Sequence, residues 1–133
     1  MKVFRVLFLI LIVMSSTVFA QTEEIIESPD APQAVKVVEF GKVTNGYIKM
    51  QLDNFFTELG NNPNAQGYVF NFGTAREIAQ VEKVIRSQVK VRNFDLERIT
   101  FVSDGAAEKR QTQFWLVPAG AETPTPEYTE EPK

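Results

Sequence analysis

Gly73-Thr74-Ala75-Arg76 is the stretch of this chain best equipped to hold a charged ligand. A glycine, a hydroxyl and then an amphipathic run mark a helix start. The first backbone N–H groups of a helix lack partners, and the dipole there favours negative charge. Arg76 adds a guanidinium, which can grip a carboxylate through two parallel bonds. Thr74 and Arg76 are therefore the candidate ligand-binding residues, for a ligand that carries a carboxylate. The same residue types also make a plain helix cap beside a solvated arginine, and that arrangement is the commoner one. Arg86 lies ten residues further along, too far to share one small ligand with Arg76.

What the chain lacks bounds its chemistry more firmly. It contains no histidine and no cysteine. The usual general base near neutral pH, the commonest zinc ligand, thiol nucleophiles and disulfides are all excluded together. No nucleophile elbow and no carboxylate pair on one element stands in their place. The acidic pairs Glu23-Glu24 and Glu130-Glu131 lack the alternating oxygen ligands of a calcium loop. A non-catalytic protein without metal or cofactor is expected.

Phe114 and Trp115 are neighbours and must point to opposite faces of any strand that holds them. One then packs in the core. The other is free for a docking surface or for packing against the tail. Phe55, Phe56, Phe70 and Phe72 read as core rather than as a cofactor box.

The ends of the chain differ from its middle. Residues 1–20, MKVFRVLFLILIVMSSTVFA, have a basic start, an apolar run and a Val18-Phe19-Ala20 close. This is the pattern of a cleaved signal peptide, with the cut before Gln21. The apolar run, Val6 to Met14, is short for a bilayer span of about 20 residues. The mature chain is expected in a bacterial periplasm or secreted, with no membrane insertion after cleavage. Without Lys2 and Arg5, twelve basic residues remain of the 14, against 17 acidic, a balance of −5. That leaves no electrostatic footprint for nucleic acid. Residues 21–33 read as a flexible acidic leader. Residues 120–133, GAETPTPEYTEEPK, read as a Pro/Thr/Glu-rich disordered tail.

The folded unit spans 34–119. Val35–Phe40 is a β-branched strand closed by Gly41. A helix follows from Thr44 or Asn45 to Leu59, with Ile48, Leu52, Phe55, Phe56 and Leu59 on one stripe. Gly60, in a left-handed cap, and the Asn61-Asn62-Pro63 run end it. Gly67–Phe72 alternates as a strand with one strongly apolar face, Tyr68, Phe70 and Phe72. A second helix runs from Ala75 to Val91, with Thr74 as N-cap and Ile78, Val81, Val84, Ile85 and Val89 as its stripe. Asn93 takes a left-handed turn. Ile99–Ser103 and Gln113–Val117 complete the strands.

Two amphipathic helices need a sheet beneath them. The expected fold is α+β: a two-layer α/β sandwich of β-α-β-α-β-β order, with both helices on one face of a four-stranded mixed sheet. Both helices share a face, on this reading, if the second crossover reverses along the sheet or skips a strand.

This order, with Leu52-Asp53 in the first helix and FDLERITFVSDG after the second, resembles the OmpA-like C-terminal domain. That family commonly writes its helix-to-strand elbow Gly-Ile-Asp-Pro-Ser-Arg-Ile. Here Asn93 to Ile99 stand in those places, with the Asp, Arg and Ile kept. The resemblance covers about Val35 to Val117 and implies a β-α-β-α-β core, a periplasmic location and peptidoglycan binding. The family grips its ligand with an acid after the second strand and an arginine on the second helix. Here Asn71–Thr74 supplies no acid, and the arginine's place falls near Gln80. Losing both partners of a charged contact costs several kcal/mol. The resemblance therefore implies a divergent module whose partner is a cell-wall glycopeptide or an envelope protein. The alternative is a structural or protein-interaction domain with no small-ligand site.

Overall fold

In the computed structural model, which describes residues 31–128, four strands and two helices follow the order β-α-β-α-β-β. Residues 1–20, and most of the 21–33 leader, lie outside the described part. The elements are β1 (Val35–Phe40), α1 (Asn45–Asn61), β2 (Gln66–Phe72), α2 (Ala75–Val91), β3 (Ile99–Asp104) and β4 (Gln111–Val117), with a single 3-10 turn at Leu96–Arg98. The expected α+β sandwich is the fold.

The sheet order is β1-β4-β2-β3. β4 runs antiparallel to both its neighbours, while β2 and β3 are parallel. It follows that β1, β2 and β3 all point one way, and their C-terminal ends meet along one edge of the molecule. The crossovers do not reverse: β1 to β2 and β2 to β3 advance in the same direction, the first stepping over β4. Right-handed crossovers that keep one direction cover one face, so the reversal condition was the wrong one. β4, which holds Phe114 and Trp115, is an interior strand and not an edge.

Both helices cover the face that carries Val38 and Phe40, Gly67, Val69 and Asn71, Ile99 and Phe101, and Thr112, Phe114 and Leu116. Gly67 lets α1 approach: a Cβ there would sit 2.8 Å from Phe55 and 3.0 Å from Leu59. Phe55 then stacks on Phe114, ring centroids 5.1 Å apart, and Phe40 meets Phe114 edge-on at 5.5 Å. Leu52, Ile48, Val81 and Ile85 fill the space between, all at most 1% exposed.

The helix ends follow local chemistry. Thr44 caps α1, its hydroxyl accepting from the Tyr47 N–H. α1 continues through Gly60 to Asn61, two residues beyond the expected stop. Gly60 has no positive φ, so it is not a left-handed cap. Asn62 ends the helix instead, donating from both backbone and side chain to the Glu58 carbonyl, and Pro63 cannot continue. α2 has the expected bounds. It closes with Asn93 at φ 51, Asn93 N–H bonded to Lys90 O and Phe94 N–H to Val89 O, a Schellman ending.

The opposite face carries Tyr68, Phe70 and Phe72 of β2 with Gln113 and Trp115 of β4. Phe70 and Phe72 are buried, as expected of core residues, but not beneath the helices. The described part of the tail, residues 121–128, lies over them without regular secondary structure.

Candidate functional site

Three loops meet where the parallel strands end: Gly41–Thr44, Gly73-Thr74 and Gly105–Arg110. Gly73 adopts φ +131 and donates its N–H to the Asp104 carbonyl, while a Cβ on it would lie 3.1 Å from the Arg110 Cα. The close approach of two loops demands a glycine with a conformation that L side chains rarely adopt.

At this end lies an open cleft of about 490 Å³ lined by Gly41, Lys42, Val43, Glu77, Glu108, Lys109, Arg110, Gln111 and Tyr128. A second groove of about 460 Å³ runs between the helices and is lined by Ile48, Lys49, Gln80, Lys83, Val84, Ser87 and Arg110 among others. Arg110 borders both. Five cations, Lys42, Lys49, Lys83, Lys109 and Arg110, face two carboxylates, Glu77 and Glu108, across these clefts.

Of the five, Arg110 carries the buried donor that lacks an acceptor among the described residues. Its Nη2 donates to the Val43 carbonyl at 3.3 Å, while its buried Nε has no acceptor among the described residues. The Nδ2 of Asn71, a residue only 2% exposed, also lacks an acceptor; its Oδ1 accepts from the Thr112 hydroxyl at 2.9 Å. Asn71 pairs with Thr112 across the sheet, two positions from Arg110. Both orphan donors thus belong to the strand-end layer.

Thr74 and Arg76 sit in the first turn of α2, as expected, but in different circumstances. Thr74 is committed to a capping box: its hydroxyl accepts from the Glu77 N–H, and its own N–H and hydroxyl donate to Glu77 Oε2 at 3.0 and 2.9 Å. Glu77 thereby occupies the place an external anion would take. The Thr74 N–H, then its hydroxyl, hold the Glu77 carboxyl below the ordinary glutamate range, with Arg110 and Lys42 adding smaller attraction. Arg76 is exposed, has no hydrogen bond or ion pair among the described residues, and lines neither cleft. Gln80 lines the helical groove, where Lys49, Lys83 and Arg110 carry the charge. The sequence reading missed Arg110 because it sits in an irregular loop, outside any periodic pattern.

Asp53, Phe94, Asp95 and Arg98 build the scaffold and line neither of these two clefts. Asp53 pairs with Arg92 at 2.5 Å and accepts from Gln88 at 2.9 Å, locking α1 to α2. Arg92, then Gln88, lowers the Asp53 carboxyl below its usual range, and Asp53 raises Arg92 in return. Phe94 stacks on Phe56 at 4.5 Å. Asp95 caps the 3-10 turn through the Glu97 N–H. Arg98 donates to three carbonyls, Leu59, Asn62 and Ala65, at 2.8 to 3.0 Å, closing the end of α1 and the loop after it.

No family model matches the chain, and no curated protein matches it. Among the described residues, no helix is long and apolar enough to cross a membrane.

Proposed function

We propose that the chain is an exported, non-catalytic binding module of the cell envelope, a divergent relative of the OmpA-like domain that holds a carboxylate-bearing cell-wall component at its strand ends. One observation carries this reading: Arg110, whose buried guanidinium Nε–H has no acceptor among the described residues, borders two clefts in which cations outnumber carboxylates five to two. An anion that reaches this guanidinium satisfies a buried donor and draws on the surrounding charge. The first turn of α2 contributes through Thr74, which keeps Glu77 tied down, and Arg76 guides anions from outside the clefts.

Retention on purified peptidoglycan sacculi tests the proposal. Retention should be salt-sensitive and should fall at least tenfold in Arg110→Gln, while Arg76→Ala weakens it less. Circular dichroism confirms that the variant is folded. No retention at low salt removes the cell-wall reading. The second reading is then a protein-interaction domain without a small-ligand site, and the aromatic face under the tail favours it.

A further inference from the structure

On the face away from the helices, the chain holds its own tail as a ligand is held. From Thr123 to Tyr128 burial alternates: Pro124, Pro126 and Tyr128 are half-buried against the sheet, while Thr123, Thr125 and Glu127 are exposed. The Tyr128 ring meets Phe72 edge-on, centroids 6.2 Å apart. Two polar contacts complete the seat, Tyr68 Oη with Thr123 Oγ1 and Gln113 Nε2 donating to the Glu127 carbonyl, each 3.4 Å long.

The hold is weak by construction. The segment forms no ladder with any strand, because it lies over the face of β2, whose two sides are already paired with β3 and β4; Pro124 and Pro126 also have no N–H to donate. It also underfills its seat. An apolar cleft of about 350 Å³ remains beside Pro124 and Pro126, bordered by Phe70, Phe72 and Val102, the last 40% exposed. Aromatic surfaces that receive proline rings are a recurrent means of binding proline-rich peptides, which lose little entropy on docking; here the prolines alternate with the two-residue period of an extended strand-like segment, not the three-residue period of polyproline II.

We propose that this aromatic face is a docking groove for an extended, proline-alternating peptide segment of a partner protein, and that residues 121–128 occupy it in cis until the partner displaces them. The partner's chemistry is read from the occupant in place: prolines at alternate positions, then an aromatic, with small polar or acidic residues pointing outward. The groove accepts a bulkier version, since the strap leaves apolar space unfilled. A short Pro118–Gly120 hinge gives the strap an effective concentration of roughly millimolar, so a free peptide competes poorly with it. The proposal is independent of the strand-end cleft and of any cell-wall ligand.

The test uses the full chain and a labelled peptide of sequence AETPTPEY, residues 121–128, added in trans. A full chain with Pro124→Ser, Pro126→Ser and Tyr128→Ser has its strap weakened. It should bind the peptide at least about tenfold more tightly than the intact chain, the relief expected when an intramolecular competitor is removed. Amide shifts in NMR spectra should fall on β2, β3 and β4 and spare the helices. A peptide with both prolines replaced by alanine should bind less well, and Phe70→Ser in the strap-weakened chain should abolish binding while the helical NMR signals persist. Equal affinity for the intact and strap-weakened chains would overturn the proposal, as would shifts confined to the helices. Dimerisation of the intact chain with exchange of its strap signals would assign the groove to a second copy and overturn the partner.

Discussion

On one face of the sheet, Val69 and Phe114 lie at 0% exposure under two helices of seventeen residues each. On the other, Phe70 and Phe72 lie at 6% under eight residues of extended chain. The degree of burial is similar and the means are not. The helices bring their own hydrogen bonds, caps at both ends and an Asp53–Arg92 clamp between them. The strap brings proline rings, one tyrosine and two long polar contacts. Burial measured by exposure alone says little about how firmly a surface is covered. A cover with its own cooperative structure opens only with the whole domain, whereas one without it can open locally.

The sharpest way to break this comparison is to empty the same kind of site on each face. Phe114→Ala removes a ring packed between Phe40 and Phe55, and should cost about 3–5 kcal/mol in urea unfolding, because the surrounding rings cannot collapse into the space. Phe70→Ala removes an equally large side chain, yet should cost clearly less than Phe114→Ala, since the strap can settle into the gap. Equal losses at the two positions would mean the strap is as rigid as the helices.

Acid sharpens the comparison from the helix side. The Asp53 and Glu77 carboxyls both sit below their ordinary values in the folded chain, Asp53 through Arg92 and Gln88, Glu77 through Thr74. Groups lowered by folding stabilise the fold above their unfolded values, about 3.9 and 4.3, and that contribution is lost as pH falls through the folded values. The urea midpoint should therefore drop on acidification below about pH 4. Asp53→Asn with Glu77→Gln should flatten that acid limb. The effect is the smallest of the three because both groups are solvent-accessible.

Much of the fold was legible residue by residue. Ile78, Val81, Ile85 and Val89 mark α2 by period, Thr74 marks its start, and Asn93 marks its end. These signals are local, and local chemistry decides them. The end of α1 was misjudged at Gly60, because a glycine is a permission and not a command: Asn62 and Pro63 supplied the stop. The period of β2 shows one strongly apolar side but not what covers it: α1 packs against the other side, close enough to need Gly67, and Tyr68, Phe70 and Phe72 find their cover in the tail. The candidate site was half legible. Thr74 could be read as a cap from its neighbours, but Arg110 could be found only once three loops were seen to converge.

The residues in order were enough to determine which segments are helix and which are strand, where most of them begin and end, and that histidine and cysteine chemistry is absent. Each of those properties depends on neighbours within a turn or two of chain. Strand order, the interior place of β4, the gathering of Lys42, Lys49, Lys83, Lys109 and Arg110 around two clefts, and the tail's seat on the aromatic face were decided only by tertiary structure. They join residues as far apart as Val35 and Leu116, which pair between β1 and β4, or Tyr68 and Thr123, fifty-five positions apart, and no local preference encodes a contact at that range.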